Sequence, residues 1–265
     1  MEYGLIGERL GHSYSREIHE RITPDPYELH ELAPGELADF FAARAFRGIN
    51  VTIPYKQAVI PYLDGISEQA KAIGAVNTVV NRDGKLFGYN TDFIGMKTAI
   101  EAMGVSLVGE KVLIPGTGGT SKTAAAVARA LGAQEIIRAS RSGRDGGIPY
   151  DEAIRLHGDA GFLINTTPVG MSPDSDGVPI ALEPFSRLRG VFDAVYHPLR
   201  TNLVLDALER GIPASGGLCM LVAQAVSAAA LFRGTEPEMS LCGDVYRALK
   251  AEKENLVLVG MPSCG

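Results

Sequence analysis

The chain has 265 residues, 46% of them hydrophobic, a formal net charge of −6 at pH 7 and a pI near 5.4. That is enough apolar material for one or two compact domains with full cores, and the acidic balance gives no electrostatic reason to bind nucleic acid or anionic lipid. A small soluble ligand is the expected partner, and the three cysteines, Cys219, Cys242 and Cys264, have no metal-ligand spacing and read as reduced thiols of a cytoplasmic protein.

The opening MEYGLIGERLGHS lacks a basic start followed by a long apolar run, so no signal peptide is expected. A strand over 3–6 leads through a polar loop to a helix over 15–22, then a strand over 27–32 and a helix over 36–45. A third strand, 49–53, stops at Pro54, and Asp83-Gly84 marks a hairpin turn between strands 76–81 and 85–89. These elements predict an α/β domain of its own. Thr91 or Asp92 caps the next helix, in which Phe93, Met96, Ile100 and Met103 share one face. Behind this bridge the alternation restarts: strand 111–114, a glycine turn, an alanine-rich helix over 120–131 and strand 135–139. A glycine-rich loop then leaves only a short helix over 150–157, before strands 162–165 and 191–195. Short crossovers of this kind build a parallel, doubly wound, Rossmann-like sheet. Two helices, 218–232 and 239–254, close the chain, the first returning to the opening domain. The expected division is a substrate domain, 1–98 plus 218–254, and a cofactor domain, 99–217. The most apolar stretch, 218–232, is too short to span a bilayer and carries Gln224 and Ser227.

Two runs of small polar residues end in a charge, NVTIPYK at Lys56 and GYNTD at Asp92. Together they offer amides, hydroxyls, an ammonium and a carboxylate, the parts needed to hold a polyol and move its proton. Each run alone fits an ordinary loop, and the two charges alone fit a surface ion pair. Ser13 and Ser15 in GHSYS present both hydroxyls to one side if that stretch is extended, where they can share a carboxylate; Ser15 serves equally as a helix cap. Asn50 and Thr52 share a face of the third strand, and Asn77 opens the hairpin.

GTGGTS places Gly116, Gly118 and Gly119 where a backbone can approach a pyrophosphate at a helix start, with Ser121 in place of the usual third glycine. A tight connection without ligand is the alternative for so partial a motif. The next strand ends ASRSGR, with no Asp or Glu to accept from an adenosine ribose. Arg141 and Arg144 can pair with the extra phosphate of NADP, or simply be solvated.

In this order, GERLGHSYSREIH, GINVTIPYK, GAVNT, GYNTD, PGTGGTSKT, INTTPVGM, DAVYHP and GGLCMLVAQA resemble the shikimate dehydrogenase family over residues 1 to about 250. The resemblance implies catalysis in a cleft between two domains and reversible NADP-dependent reduction of 3-dehydroshikimate to shikimate, a step of aromatic amino-acid (chorismate) biosynthesis. It implies that Ser13 and Ser15 bind the substrate carboxylate, that Asn50, Thr52, Asn77 and Gln224 hold its ring and hydroxyls, and that Tyr196 lines the site. Lys56 and Asp92 would form the catalytic pair. The implied cofactor residues are Gly116, Thr117, Gly118, Gly119 and Thr120, the turn of Ser140, Arg141, Ser142 and Arg144, then Ala194 beside the nicotinamide, and Gly217. Arg16, Pro115, Ser140 and Cys219 depart from the family pattern without removing a catalytic group; Cys219 and the short loop after Arg144 bear on cofactor affinity. The nearest rivals are an NAD-using quinate/shikimate dehydrogenase and a non-catalytic ligand-binding domain, the latter disfavoured by an intact Lys56 and Asp92. The final NLVLVGMPSCG resembles the opening of shikimate kinase, a GxxxxGK[ST] loop cut before its lysine, and implies a dehydrogenase–kinase fusion.

Overall fold

The computed structural model describes residues 1–11, 13–143 and 145–254. Its first sheet collects β1 (Tyr3–Gly7), β2 (Tyr27–Glu31), β3 (Gly48–Val51), β4 (Gly65–Ile66) and the hairpin β5 (Thr78–Arg82) and β6 (Lys85–Tyr89), in the order β2-β1-β3-β5-β6-β4. Helices α1 (Ser15–Ile22), α2 (Leu37–Ala43) and α3 (Glu68–Ile73) connect these strands. Pairing is parallel from β2 through β3 and antiparallel from β3 through β6. Asp83 and Gly84 both take positive φ, 53° and 82°, as a two-residue turn matched to strand twist requires.

Helix α4 (Thr91–Ala102) leads to the second sheet, built from β7 (Lys111–Pro115), β8 (Glu135–Ser140), β9 (Ile148–Pro149), β10 (Phe162–Asn165), β11 (Gly190–Asp193) and β12 (Ala214–Ser215). Its helices are α5 (Gly119–Ala130), α6 (Tyr150–His157) and α7 (Asn202–Glu209). All its pairs are parallel, and the order β12-β11-β10-β7-β8-β9 is the doubly wound arrangement that reverses direction beside its first strand. The reversal lies between β7 and β10, where such sheets open a crevice at their carboxyl ends. Helices α8 (Leu218–Arg233) and α9 (Leu241–Lys253) complete the described chain, and no described helix is long and apolar enough to cross a membrane.

Alternation along the strands fills both faces of each sheet. In the first sheet Ile6, Ile49, Val51 and Val79 pack under α2 with Phe41 and Phe46, while Tyr3, Leu5, Tyr27 and Val80 face Ala228 and Phe232 of α8. Phe232 stacks on Tyr3 at 5.4 Å and covers Gly48, where a β-carbon would collide with its ring. In the second sheet Val112, Ile114, Ile164 and Phe192 pack against α4 and α5; Leu113, Leu163 and Val191 face α6 and α7. Arg16 ties α1 to β2 through Nε, which donates to the Tyr27 carbonyl at 3.0 Å.

Three local expectations need correction. The strand β3 stops at Val51, because the Thr52 carbonyl already accepts the turn bond from Tyr55 N at 2.9 Å. The cap of α4 is Asn90, whose side chain accepts from Phe93 N at 3.1 Å; Thr91 and Asp92 are its first two residues. Ser15 is the first residue of α1, whose capping position is Tyr14. Helices α3 and α7 were not expected from the sequence, yet Ser67 and Thr201 cap them by accepting from Ala70 N and Val204 N.

Candidate active site

Lys56 sits in the turn that follows β3, and Asp92 in the first turn of α4. The Lys56 Nζ donates to Asp92 Oδ2 at 2.6 Å, with side chains only 14% and 8% exposed. The backbone around Lys56 is fixed by Val76 N donating to its carbonyl at 2.7 Å. Across the cleft, a β-carbon at Gly119 would stand 3.3 Å from Lys56 Cβ, so the start of α5 packs directly on the lysine stem. Asn90 joins the same parts from the other side, donating to Ala75 O at 2.9 Å and Thr123 Oγ1 at 3.2 Å. The ion pair therefore lies where the two sheets meet.

Behind it runs a buried amide network. Asn50 and Thr78 are cross-strand partners of β3 and β5, so their side chains meet: Asn50 Nδ2 donates to Thr78 Oγ1 at 3.0 Å, and Tyr27 donates its hydroxyl to Asn50 Oδ1 at 2.7 Å. Asn77 Oδ1 accepts from Thr91 N at 2.7 Å, which locks the start of α4 to the hairpin. Gln224 of α8 reaches the same cluster, its Oε1 lying 3.4 Å from both Asn77 Nδ2 and Thr91 Oγ1. Thr52 is half-buried beyond the end of β3, with its methyl against Gly7. Sequence reasoning overlooked Tyr27, Thr78 and Thr91 as supports; Thr78 had a signal, standing next to Asn77 and opposite Asn50 once the hairpin register is drawn. His19 also belongs here, stacked on Tyr27 at 3.9 Å, and burial pushes its imidazole down to about 3, so the ring is neutral.

Ser13 and Ser15 do come together, though not through an extended backbone. Tyr14 between them has φ −83° and ψ 1°, and this bend brings Ser13 Oγ to 3.1 Å from Ser15 Oγ, with Ser15 N donating to Ser13 Oγ at 3.2 Å. Tyr196 faces the pair from the second sheet. Burial pushes its phenol up, and a hydrogen bond with Ser13 acts in the opposite direction.

The glycine turn has the features a pyrophosphate needs. Gly116 takes φ +116° and packs so closely on Thr166, at the end of β10, that a β-carbon would collide with the threonine hydroxyl. Gly118 faces open space and caps α5 without a side-chain bond, which leaves first-turn N–H groups for an anion. Ser121, standing where a third glycine is usual, is buried and donates to Gly116 O at 2.7 Å, so it pins the turn from beneath. Thr117 and Thr120 flank the glycines, half-buried. At the end of β8 the buried Ser140 Oγ has no hydrogen-bond partner among the described residues, an uncommon state that a ligand hydroxyl or phosphate would relieve. Arg141 and Ser142 follow it, exposed; Arg144 and the kinase-like tail lie outside the described residues. Ala194 N is held by Asn165 O at 2.9 Å, and a β-carbon at Gly217 would strike the Ala194 backbone, so β11 ends against the start of α8. A dinucleotide fits this set.

Asp193 anchors that strand end. It is wholly buried and accepts from Thr201 Oγ1 at 2.6 Å, Asn165 Nδ2 at 2.9 Å and Val195 N at 3.0 Å. Burial nevertheless dominates and pushes its carboxyl up to about 6. A folded-state value above the unfolded one means that the native protein keeps a proton the unfolded chain has released. Stability should fall as pH rises from about 4 to about 6, by about 3 kcal/mol from this group alone. In Asp193→Asn the amide oxygen can still accept from Asn165 and Val195 while its nitrogen donates to Thr201. Urea titrations at several pH values should show this variant losing that slope; a slope equal to the parent's would remove Asp193 as its source.

The site can be set beside known proteins. A family model described as shikimate dehydrogenase substrate binding domain matches residues 5–79. The shikimate dehydrogenase (NADP(+)) of Clostridium perfringens (strain SM101 / Type A) is 35% identical over 266 residues, covering 94% of this chain and 98% of that one. The crystal structure of shikimate dehydrogenase 1 from Peptoclostridium difficile superposes with a TM-score of 0.89 at 30% identity, covering 96% of this chain and 100% of that one. Shikimate 5-dehydrogenase from Thermus thermophilus, crystallised in complex with NADP(H) and shikimate, gives 0.80 at 31% identity, with 94% and 99% covered.

Proposed function

Because this chain belongs to the shikimate dehydrogenase family, we propose that it catalyses the reversible NADP-dependent interconversion of 3-dehydroshikimate and shikimate, a step of chorismate biosynthesis. The observation that carries the reading is the Lys56–Asp92 pair, 2.6 Å apart and packed on Gly119 of the dinucleotide turn. Residues 1–98 with 218–254 hold the substrate, and 99–217 hold the cofactor.

Ser13, Ser15 and Tyr196 bind the carboxylate, whose charge suits three hydroxyl donors. Asn50, Thr52, Asn77 and Gln224 orient the ring and its hydroxyls. Their amides are already tied to Tyr27, Thr78 and Thr91, so little rotamer freedom remains to be lost on binding. Lys56 exchanges a proton with the reacting oxygen, and Asp92 orients Lys56 and the substrate hydroxyl. Gly116, Thr117, Gly118, Gly119 and Thr120 would hold the pyrophosphate, Ser140, Arg141, Ser142 and Arg144 the adenosine end, and Ala194 and Gly217 the nicotinamide. NADP, when bound there, gives or takes the hydride.

The test is nicotinamide reduction or oxidation followed spectrophotometrically, with shikimate and quinate each offered NADP and NAD. Turnover confined to shikimate with NADP is expected. Preference for quinate with NAD would transfer the chain to the rival activity, and no turnover in folded protein would favour a ligand-binding role. Arg141→Ala should raise KM for NADP about tenfold, the low end for a charge-assisted bond at an exposed position, while leaving KM for NAD within about twofold. Equal effects on both cofactors would show that Arg141 does not read the extra phosphate.

The free thiols of Cys219 and Cys242 suit the reducing cytoplasm. The wording GMPSCG at 260–265 supports fusion to a shikimate kinase domain, which the coding sequence beyond Gly265 tests directly; a stop codon there overturns it.

A further inference from the structure

Two side chains stand beside the substrate groups with no part in the reaction as described above. Tyr14 lies between Ser13 and Ser15, and His197 follows Tyr196. The Tyr14 hydroxyl and His197 Nδ1 are 2.8 Å apart, a hydrogen bond between residues 183 positions apart in the chain. Tyr14 belongs to the loop entering α1 on the first sheet, and His197 to the turn leaving β11 on the second. Their bond therefore crosses the cleft between the sheets.

The Tyr14 ring is gripped on several sides. It packs tilted on Tyr196 at 5.3 Å and edgewise on His197 at 5.6 Å, with the Lys253 ammonium 5.0 Å from its centroid. Lys253 is itself bound to Glu17 of α1 at 2.9 Å, so the end of α9 closes over the ring. Burial pushes the Tyr14 phenol up, which keeps the hydroxyl neutral. A hydroxyl whose ring is fixed in this way sets the position of its partner, because it has little freedom to follow it.

We propose that Tyr14 and His197 are a positioning pair for hydride transfer, their bond fixing the separation between the carboxylate-binding serines of one sheet and the end of β11 that carries Ala194 on the other. The proposal rests on the dehydrogenase reading above. Transfer between a substrate held by the first sheet and a cofactor held by the second depends on that separation, and misplacement of about 1 Å can cost about 10²-fold in rate. Other contacts join the sheets, including the α4–α8 packing, so loss of this single bond should be felt as one ordinary hydrogen bond.

The experiment is a double-mutant cycle of Tyr14→Phe and His197→Ala, with His197→Asn as the rescue because its amide can stand in for Nδ1. Each single change should lower kcat about fivefold, the worth of one such bond, and the double variant should fall no further. Calorimetric shikimate affinity should stay within about twofold throughout, and His197→Asn should recover most of the loss. Unchanged kcat in folded Tyr14→Phe, or losses that simply multiply in the double variant, would overturn the proposal. Imidazole ¹⁵N spectra give a readout that does not pass through turnover. The His197 Nδ1 signal, identified by its disappearance in His197→Ala, should move in Tyr14→Phe, and a signal that does not move removes the pair whatever the activity. A wild type that shows this shift yet leaves shikimate untouched would instead overturn the dehydrogenase reading, and the positioning role with it.

Discussion

Lys56→Ala is expected to lower kcat for shikimate oxidation by about 10²–10⁴ while shikimate still binds, because positioned proton transfer contributes that much and the carboxylate contacts are elsewhere. In the reducing direction the substrate carbonyl gains a hydride, and its oxygen becomes an alkoxide that must be protonated. In the mechanism proposed above, the Lys56 ammonium, 2.6 Å from Asp92 and 14% exposed, supplies that proton, and in the oxidising direction the neutral amine accepts it. The variant has a second consequence, which the measurement must separate. Removing the lysine strands the Asp92 carboxylate, 8% exposed, without its counter-charge, and breaking a buried pair costs about 3–5 kcal/mol of stability. Lys56→Gln removes this ambiguity, since its amide still donates to Asp92 but cannot supply the proton. Both variants should lose kcat by similar factors, with shikimate affinity from calorimetry changed only a few-fold and Gln the more stable of the two. Turnover near the parent's in folded Lys56→Gln would leave Lys56 a structural partner of Asp92 and nothing more.

The architecture was legible because its signals are local. Alternation marks the strands, while Asp83-Gly84 and Gly116 after β7 take positive φ that few other residues adopt, and the structure places the expected strands and helices within a few residues. Helix α3 escaped notice because six residues are too few to display a helical period, although Ser67 and Gly74 mark its ends; α7 is no shorter than α1 or α6, and Thr201 before the apolar Leu203, Val204 and Ala207 was a readable signal for it. The cap of α4 was misread for another reason. Asn90, Thr91 and Asp92 are all good caps by type, and the choice is made by long-range bonds: Asn90 also donates to Ala75 and Thr123, while Thr91 is taken by Asn77. The two serine hydroxyls do meet, but a bend at Tyr14 and not an extended strand brings them together. Least legible of all were contacts between sheets. Nothing near Tyr14 in the sequence points to His197, and a Ser140 hydroxyl without a partner among the described residues becomes visible only when its neighbours are in place.

Gly95→Val is expected to cost both stability and activity, although Gly95 touches no substrate group. A β-carbon at Gly95 would stand 2.5 Å from the Met220 carbonyl oxygen, 2.9 Å from Gln224 Cβ and 3.1 Å from Gln224 N. Two of these three atoms are backbone, which has no rotamer to escape into, so α4 and α8 must separate. Overpacking of this kind typically costs about 1–3 kcal/mol, seen as a lower urea midpoint. The sharper comparison is Gly95→Ala. On an exposed helical face alanine gains about 1 kcal/mol over glycine, whereas here it should destabilise, so the sign of the change reports the helix–helix distance. Activity should fall with it. Thr91 and Asp92 lie one turn before Gly95 on α4, and Gln224 faces it from α8, so moving the helices apart disturbs the Lys56–Asp92 pair and the amide network in a single step. Since about 1 Å of misplacement is worth about 10² in rate, kcat/KM should drop by more than the stability loss explains in protein that is still fully folded. If Gly95→Ala proves as stable and as active as the parent, then α4 and α8 pack more loosely than these distances require, and the site does not depend on their contact.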